Sequence, residues 1–282
     1  MDLRRLIQLS YSMRPDRDIC VRKIRAGRIP VLILQPKEKT DNMPALLWIH
    51  GGGYFLGMKE MVHIGRAADL VKKCGITVVS PGYRLAWQKP YPAALQDCYR
   101  TLVFIKKHAR DLQIDPDRIM VGGESAGGGL AAALCMLARD RGSVKIAWQF
   151  PLYPMLSNLD TESSRDNHGM VWNTRRNHLG WKMYLRRNAK KKVPPYASPA
   201  GQKDHHGLPP CYTFVGDSEP FYAETMDYVR KLREAGVQAE LDVYHTDMHA
   251  FDMLRPDEEP GRTAIRAFET HFKQALKAIG VE

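Results

Sequence analysis

The chain has 282 residues, 44% apolar and 9% aromatic, a globular composition that excludes a disordered or collagen-like polymer. Lys and Arg number 42 against 31 Asp and Glu, a net charge of +11 that by itself selects no partner among nucleic acid, membrane phosphate and acidic substrate. No apolar run approaches the roughly 18 residues that cross a bilayer, and a membrane role is not expected.

The first 20 residues are basic but lack an apolar stretch followed by a small-residue cleavage site, so they do not read as a signal peptide. Residues 29–34 (IPVLIL) and 45–49 (ALLWI) read as strands separated by a turn-rich segment. A helix is expected over about 60–73, then a strand at 76–80 (ITVVS), apolar enough to be covered on both faces. The spacing of Leu95, Cys98, Leu102 and Ile105 predicts a helix over 92–110, followed by the strand IMVGG. The Ala- and Leu-rich stretch after Ser125 is helix-forming, and 145–150 (KIAWQF) is the next buried strand. Periodicity then lapses from about 154 to 200, apart from a helix at 170–187 whose apolar contacts are Trp172, Leu179, Met183 and Tyr184. Strands at 211–216 and 239–244 alternate with helices at about 221–235 and 262–279. Strand and helix in alternation give an α/β fold, a mostly parallel sheet with helices on both faces. The basic excess gathers at 1–28 and 165–192, both read as solvated faces. The five scattered cysteines, Cys20, Cys74, Cys98, Cys135 and Cys211, form no CxxC pair; free thiols in a reducing cytoplasm are expected.

Two glycine-rich elements carry the chemistry. Gly123-Glu124-Ser125-Ala126-Gly127 lies between a strand and a helix, where G-x-S-x-G makes a sharp turn and presents the serine hydroxyl above the sheet. Ser125 is the expected nucleophile. His50-Gly51-Gly52-Gly53-Tyr54 follows a strand directly, and its backbone N–H groups can converge on the oxygen of a tetrahedral intermediate. Gly51 and Gly52 are the expected donors, with Ala126 the third; His50 is read as an organiser of that loop. The proton acceptor for Ser125 is His249, because the chain order of such hydrolases runs serine, acid, histidine; His245 is the weaker candidate. His168, His178, His205 and His206 are expected to face solvent. The orienting acid is Asp217 or Glu219, two positions apart in one loop, with Asp247 a third and more strained choice.

Together these segments resemble the hormone-sensitive-lipase-like family of α/β-hydrolases, especially its microbial acetyl esterases and carboxylesterases, over about residues 28–255. His50–Gly53 matches the family's HGGG run, and Gly123–Gly128 its G-D-S-A-G-G, with Glu124 where Asp is usual. Asp115-Pro116-Asp117-Arg118, Tyr83-Arg84-Leu85-Ala86 with Tyr91-Pro92-Ala93-Ala94, and Tyr196-Ala197-Ser198-Pro199 also match. Glu219-Pro220-Phe221-Tyr222-Ala223-Glu224 stands in place of D-P-L-x-D-E, so the resemblance assigns the acid to Glu219 and leaves Asp217 as the alternative. Gly82, Trp87-Gln88, Ala223 and Ala250 depart from the pattern without removing a primary catalytic group. The resemblance implies a small cap over one α/β domain, built from residues 1–25 and 155–200, with Tyr54, Trp172, Trp181 and Met183 lining an acyl pocket. It also implies a homodimer through the last strand and helix.

The reaction expected is hydrolysis of short-chain acyl or acetyl esters through a serine acyl-enzyme, with a small-molecule ester as partner and no metal or organic cofactor. The alternative within enzymes is an amidase or deacetylase acting on a small acylated sugar or amine. A non-catalytic binding protein has no need of both Ser125 and His249. A nucleic-acid binder leaves both glycine motifs unexplained and predicts salt-dependent association.

Overall fold

Alternation along the strands decides the architecture. In β3 (Met43–Ile49), Ala45, Leu47 and Ile49 join one hydrophobic cluster while Leu46 and Trp48 join a second, and all five are buried. Successive side chains point to opposite faces of a sheet, so a strand buried on both faces needs a layer on each. In the computed structural model, which describes residues 18–38, 40–186 and 192–281, helices supply both layers. Leu70 and Val71 of α1 (Arg66–Cys74) share the Trp48 cluster with Phe268 and Phe272 of α7 (Gly261–Ala278). Leu102 of α2 (Ala93–Lys107), Leu134 of α3 (Ala126–Arg141) and Leu232 of α5 (Tyr222–Glu234) share the other.

The remaining strands are β1 (Ile19–Ala26), β2 (Ile29–Pro36), β4 (Thr77–Pro81), β5 (Ile114–Glu124), β6 (Gln149–Leu152), β7 (Cys211–Gly216) and β8 (Ala239–Tyr244). They form one eight-stranded sheet in the order β1-β2-β4-β3-β5-β6-β7-β8. β1 and β2 are antiparallel to their neighbours, and the strands from β4 to β8 are parallel. From β3 the chain winds outward to β4, and from β5 it winds the opposite way to β8. The direction reverses between β3 and β5, and the loops leaving such a switch point diverge to open a crevice.

Three expectations need correction. The segment 60–73 is not one helix: a 3₁₀ turn at Lys59–His63 precedes α1, and Gly65, a poor helix former, serves as the N-cap between them. The strand expected at 145–150 runs later, at Gln149–Leu152; Ala147 and Trp148 still bond β5, through Ala147 N–H to Ile119 O and Val121 N–H to Trp148 O. Residues 19–25, expected in the cap, belong to β1 and pair along β2; residues 1–17 lie outside the described residues.

Between β6 and β7 the chain leaves the sheet and returns with one substantial helix, α4 (Thr174–Leu185). The helix starts at 174, four residues later than the sequence spacing suggests, because the Asn173 side chain caps it by accepting the Arg176 N–H at 3.1 Å. Its inward face is Trp181, Tyr184 and Leu185, while Leu179, an expected contact, is 46% exposed. Trp181 and Tyr184 pack on Tyr54 of the glycine loop, with ring centroids 5.3 and 4.0 Å away. The insertion is thereby anchored over the carboxyl end of β3. Among the described residues no helix is long and apolar enough to cross a membrane.

Candidate active site

β5 ends at Glu124 and α3 begins at Ala126, so Ser125 alone makes the turn between strand and helix. Its backbone has φ 58° and ψ −120°, a conformation that a residue with a Cβ keeps only when its surroundings hold it. Here the Ser125 N–H donates to the Leu152 carbonyl at 3.0 Å, and the Ser125 carbonyl accepts from Gly129 and Met155, each at 3.0 Å. A Cβ on Gly127 would stand 2.0 Å from the Ile49 carbonyl oxygen. Only glycine lets α3 press this closely on β3, which is the reason G-x-S-x-G ends as it does.

His249 lies in the loop between β8 and α6 (Phe251–Leu254), and its Nε2 is 2.8 Å from Ser125 Oγ. Its Nδ1 bonds Oε2 of Glu219, which is wholly buried in the loop after β7. The second Glu219 oxygen accepts the Gly216 N–H at 2.8 Å. With Nδ1–H donating to the carboxylate, Nε2 turns its lone pair to the serine hydroxyl, the tautomer that proton abstraction requires. Tyr153 and Phe221 stand edge-on to the imidazole, at centroid distances of 5.1 and 5.0 Å, and Trp172 lies 6.4 Å away. These rings leave Ser125 and His249 only 6% and 3% exposed, so charge developed between them is poorly screened by water.

The other candidate acids and bases lie elsewhere. Asp217 turns outward and bonds Nδ1 of His245 at 2.8 Å, the Ser218 hydroxyl and the Thr246 N–H. The His245 contact, first among these, holds the Asp217 carboxyl below its ordinary range. His245 itself has a 96% exposed side chain, and Asp247 is exposed as well. His168, His178 and His206 are exposed, but His205 is buried with its ring 5.9 Å from that of Tyr228, contrary to expectation. His50 is buried, which pushes its pKa down to about 4, so the ring is neutral at pH 7. Its Nδ1–H donates to Gly51 O at 2.8 Å, it stacks on Tyr83 at 4.2 Å, and the Tyr83 hydroxyl donates to the His50 carbonyl at 2.9 Å. Those contacts tie the glycine loop to the loop after β4.

The oxyanion donors need one correction. The Gly51 N–H, expected to face the substrate, donates instead to Oε1 of Glu124 at 3.1 Å. The N–H groups of Gly52, Gly53 and Ala126 donate to no group among the described residues. Gly52 and Gly53 have φ of 109° and 60°, and the Gly52 carbonyl closes the turn by accepting from Phe55 and Leu56 at 3.2 and 2.9 Å. The run HGGG was legible in sequence, but which of its amides is consumed internally depends on positive φ values that three consecutive glycines leave open.

The aromatic residues expected at a pocket fall in two layers. Trp172 reaches the site: a Cβ on Gly53 would be 2.1 Å from its Cη2. Gly53→Ala is therefore expected to displace the oxyanion turn and lower kcat/KM on a nitrophenyl ester by about 10²-fold, which steady-state kinetics would read. Tyr54 and Trp181 stand one layer further out, 1% and 4% exposed, with the Tyr54 hydroxyl donating to Met155 O at 2.9 Å. Met183 is half-buried against the same cluster and has no contact that brings it to Ser125. Phe221 and Tyr153 flank His249 and were not singled out from sequence, since apolar and aromatic residues beside a strand carry no signal separating site from core.

A mostly parallel sheet bearing Ser125, Glu219 and His249 on loops at the carboxyl ends of β5, β7 and β8 defines a serine hydrolase of α/β architecture. A model of the alpha/beta hydrolase fold family matches residues 46–253, and the chain belongs to that family. It is 32% identical over 227 residues to the carboxylesterase NlhH of Mycobacterium tuberculosis, covering 79% of this chain and 71% of that one. It is also 32% identical over 233 residues to an arylesterase of Saccharolobus solfataricus, covering 81% and 74% of the two chains. Among solved structures, a bacterial heroin esterase superposes with a TM-score of 0.90 at 31% identity, over 97% of this chain and 89% of its own.

Proposed function

We propose that the protein hydrolyses short-chain acyl or acetyl esters by a serine acyl-enzyme route. Ester hydrolysis is the reaction that the family, the esterases it resembles and the site all support. The observation that carries the mechanism is the continuous chain from Ser125 Oγ, 2.8 Å from His249 Nε2, through the imidazole to buried Glu219. His249 takes the Ser125 proton as the hydroxyl oxygen attacks the ester carbonyl, and the tetrahedral oxyanion is held by the N–H groups of Gly52, Gly53 and Ala126. The imidazolium, stabilised by Glu219, returns the proton to the departing alcohol. Water enters, loses its proton to His249 and cleaves the acyl-enzyme in the reverse sense.

The size of the acyl group follows from what surrounds the serine. Trp172 lies against Gly53, and the stacked pair Tyr54–Tyr184 with Trp181 fills the next layer. Such a wall of large, well-packed rings leaves little length for an acyl chain. Across nitrophenyl esters of increasing acyl length, kcat/KM is expected to peak at about two to four carbons and to fall beyond. A maximum at eight or more carbons would sink the short-chain reading, and turnover of anilides in preference to esters would move the assignment to an amidase.

Five free cysteines, three of them buried, support a reducing compartment such as the cytoplasm. Among the described residues β8 pairs with β7 alone and forms the sheet edge, with Val243 44% exposed; this edge and the adjoining α7 are the surface through which a homodimer would form.

A further inference from the structure

Glu124 sits immediately before the nucleophile and has no part in the proton path just described. Its side chain turns away from Ser125, is 3% exposed, and reaches across to the loop after β3, where Oε1 accepts the Gly51 N–H at 3.1 Å. The two residues are 73 positions apart in the chain. This contact accounts for the one amide of the glycine run that is used internally. The backbone is equally tight there: a Cβ on Gly51 would stand 2.9 Å from the Glu124 carbonyl oxygen.

We infer that Glu124 is a positioning residue for the oxyanion hole, one side chain that fixes the glycine turn relative to the nucleophile so that the Gly52 and Gly53 amides face the reacting carbonyl. The inference rests on the ester-hydrolase reading above. A turn with two φ angles above zero has many neighbouring conformations open to glycine, and one anchored amide at its start removes most of them. Preorganised donors stabilise an oxyanion because they need no reorientation as charge develops.

The same position asks for a carboxyl without charge. Oε2 is buried and faces the Trp48 indole N–H without a hydrogen bond of ordinary geometry among the described residues. Burial pushes the Glu124 pKa up to about 8, opposed first by the Gly51 amide and reinforced by Asp252. Around it stand buried Asp252, itself raised by burial and opposed by Arg66, and the hydroxyls of Tyr153 and Tyr83. At neutral pH Glu124 is a neutral acid whose carbonyl oxygen accepts from Gly51. Above its pKa it places a negative charge beside a developing negative oxyanion, which opposes the reaction.

The test compares wild type with Glu124→Gln, Glu124→Ala and Glu124→Leu by kcat and KM on nitrophenyl acetate, and by affinity for a trifluoromethyl ketone that forms a tetrahedral adduct with the serine. Wild-type turnover that disappears in Ser125→Ala checks the underlying reading separately. The Ala and Leu variants are expected to lose about 10- to 100-fold in kcat and in ketone affinity, with KM within about threefold. Glu124→Gln, an uncharged isostere with the same carbonyl, is expected to restore both, and to abolish a fall in kcat above about pH 8 that wild type shows. Folded Ala or Leu variants with wild-type kcat and ketone affinity would overturn the inference. Should neither fold, the Gln variant decides alone, because low activity or a retained alkaline fall in that folded isostere would equally overturn it.

Discussion

Ser125→Ala is expected to lower kcat on nitrophenyl acetate by roughly 10⁵- to 10⁶-fold while leaving KM within a few-fold. The alanine keeps the backbone at φ 58° and ψ −120°, so the turn, the Ala126 amide and the glycine loop stay in place. What is lost is the oxygen that makes the acyl-enzyme. His249→Ala is expected to lose about as much, because a serine hydroxyl without its base is a weak nucleophile at neutral pH. The double variant should be no worse than either single one, since the two residues act as one unit. A residual rate above the uncatalysed one is expected in all three, supplied by oxyanion donors that the substitutions do not touch. Stopped assays with active-site titration would read these values. Activity in Ser125→Ala within tenfold of wild type would exclude the serine route.

The order of elements and the candidate reacting groups are legible in the sequence, and the reason is local. Ser125 and the HGGG run are specified by glycines whose absent side chains permit a particular turn, and turns of that kind lie between a strand and a helix. The nearly continuous apolar run of β4 similarly announces two covered faces. The misreadings came where distant contacts decide. His205 falls in a polar loop by sequence, yet the fold packs it beside Tyr228. Leu179 has the helical spacing of a core residue, but the phase of α4 is set by Asn173 and by Trp181 against Tyr54. Residues 19–25 look like a basic lead-in and become an edge strand because β2 offers an open side for eight paired residues. Gly51 and Gly53 are indistinguishable as letters; the carboxyl of Glu124, 73 positions later, separates them.

The orienting acid shows the same limit and gives the second large expected effect. Asp217 and Glu219 lie in one loop after β7, and spacing alone admits either. Backbone geometry separates them: the Gly216 N–H bonds Glu219 Oε1 at 2.8 Å and turns that side chain inward, while Thr246 N–H and His245 draw Asp217 outward. The extra methylene of glutamate lets the carboxyl reach Nδ1 of His249 from a point three residues beyond the strand. Glu219→Gln preserves size but can present its amide NH₂ to Nδ1, which turns the imidazole to the tautomer that carries its proton on Nε2, facing the serine. A fall in kcat of about 10⁴-fold is expected, with KM little changed. Asp217→Asn removes an exposed pair with His245, a contact of the kind that contributes little to stability, and kcat is expected to stay within about twofold. Glu219→Asp retains the charge but shortens the reach, and should fall between these limits. If Asp217→Asn were the damaging change and Glu219→Gln the silent one, the inward and outward carboxylates would have been assigned the wrong way round.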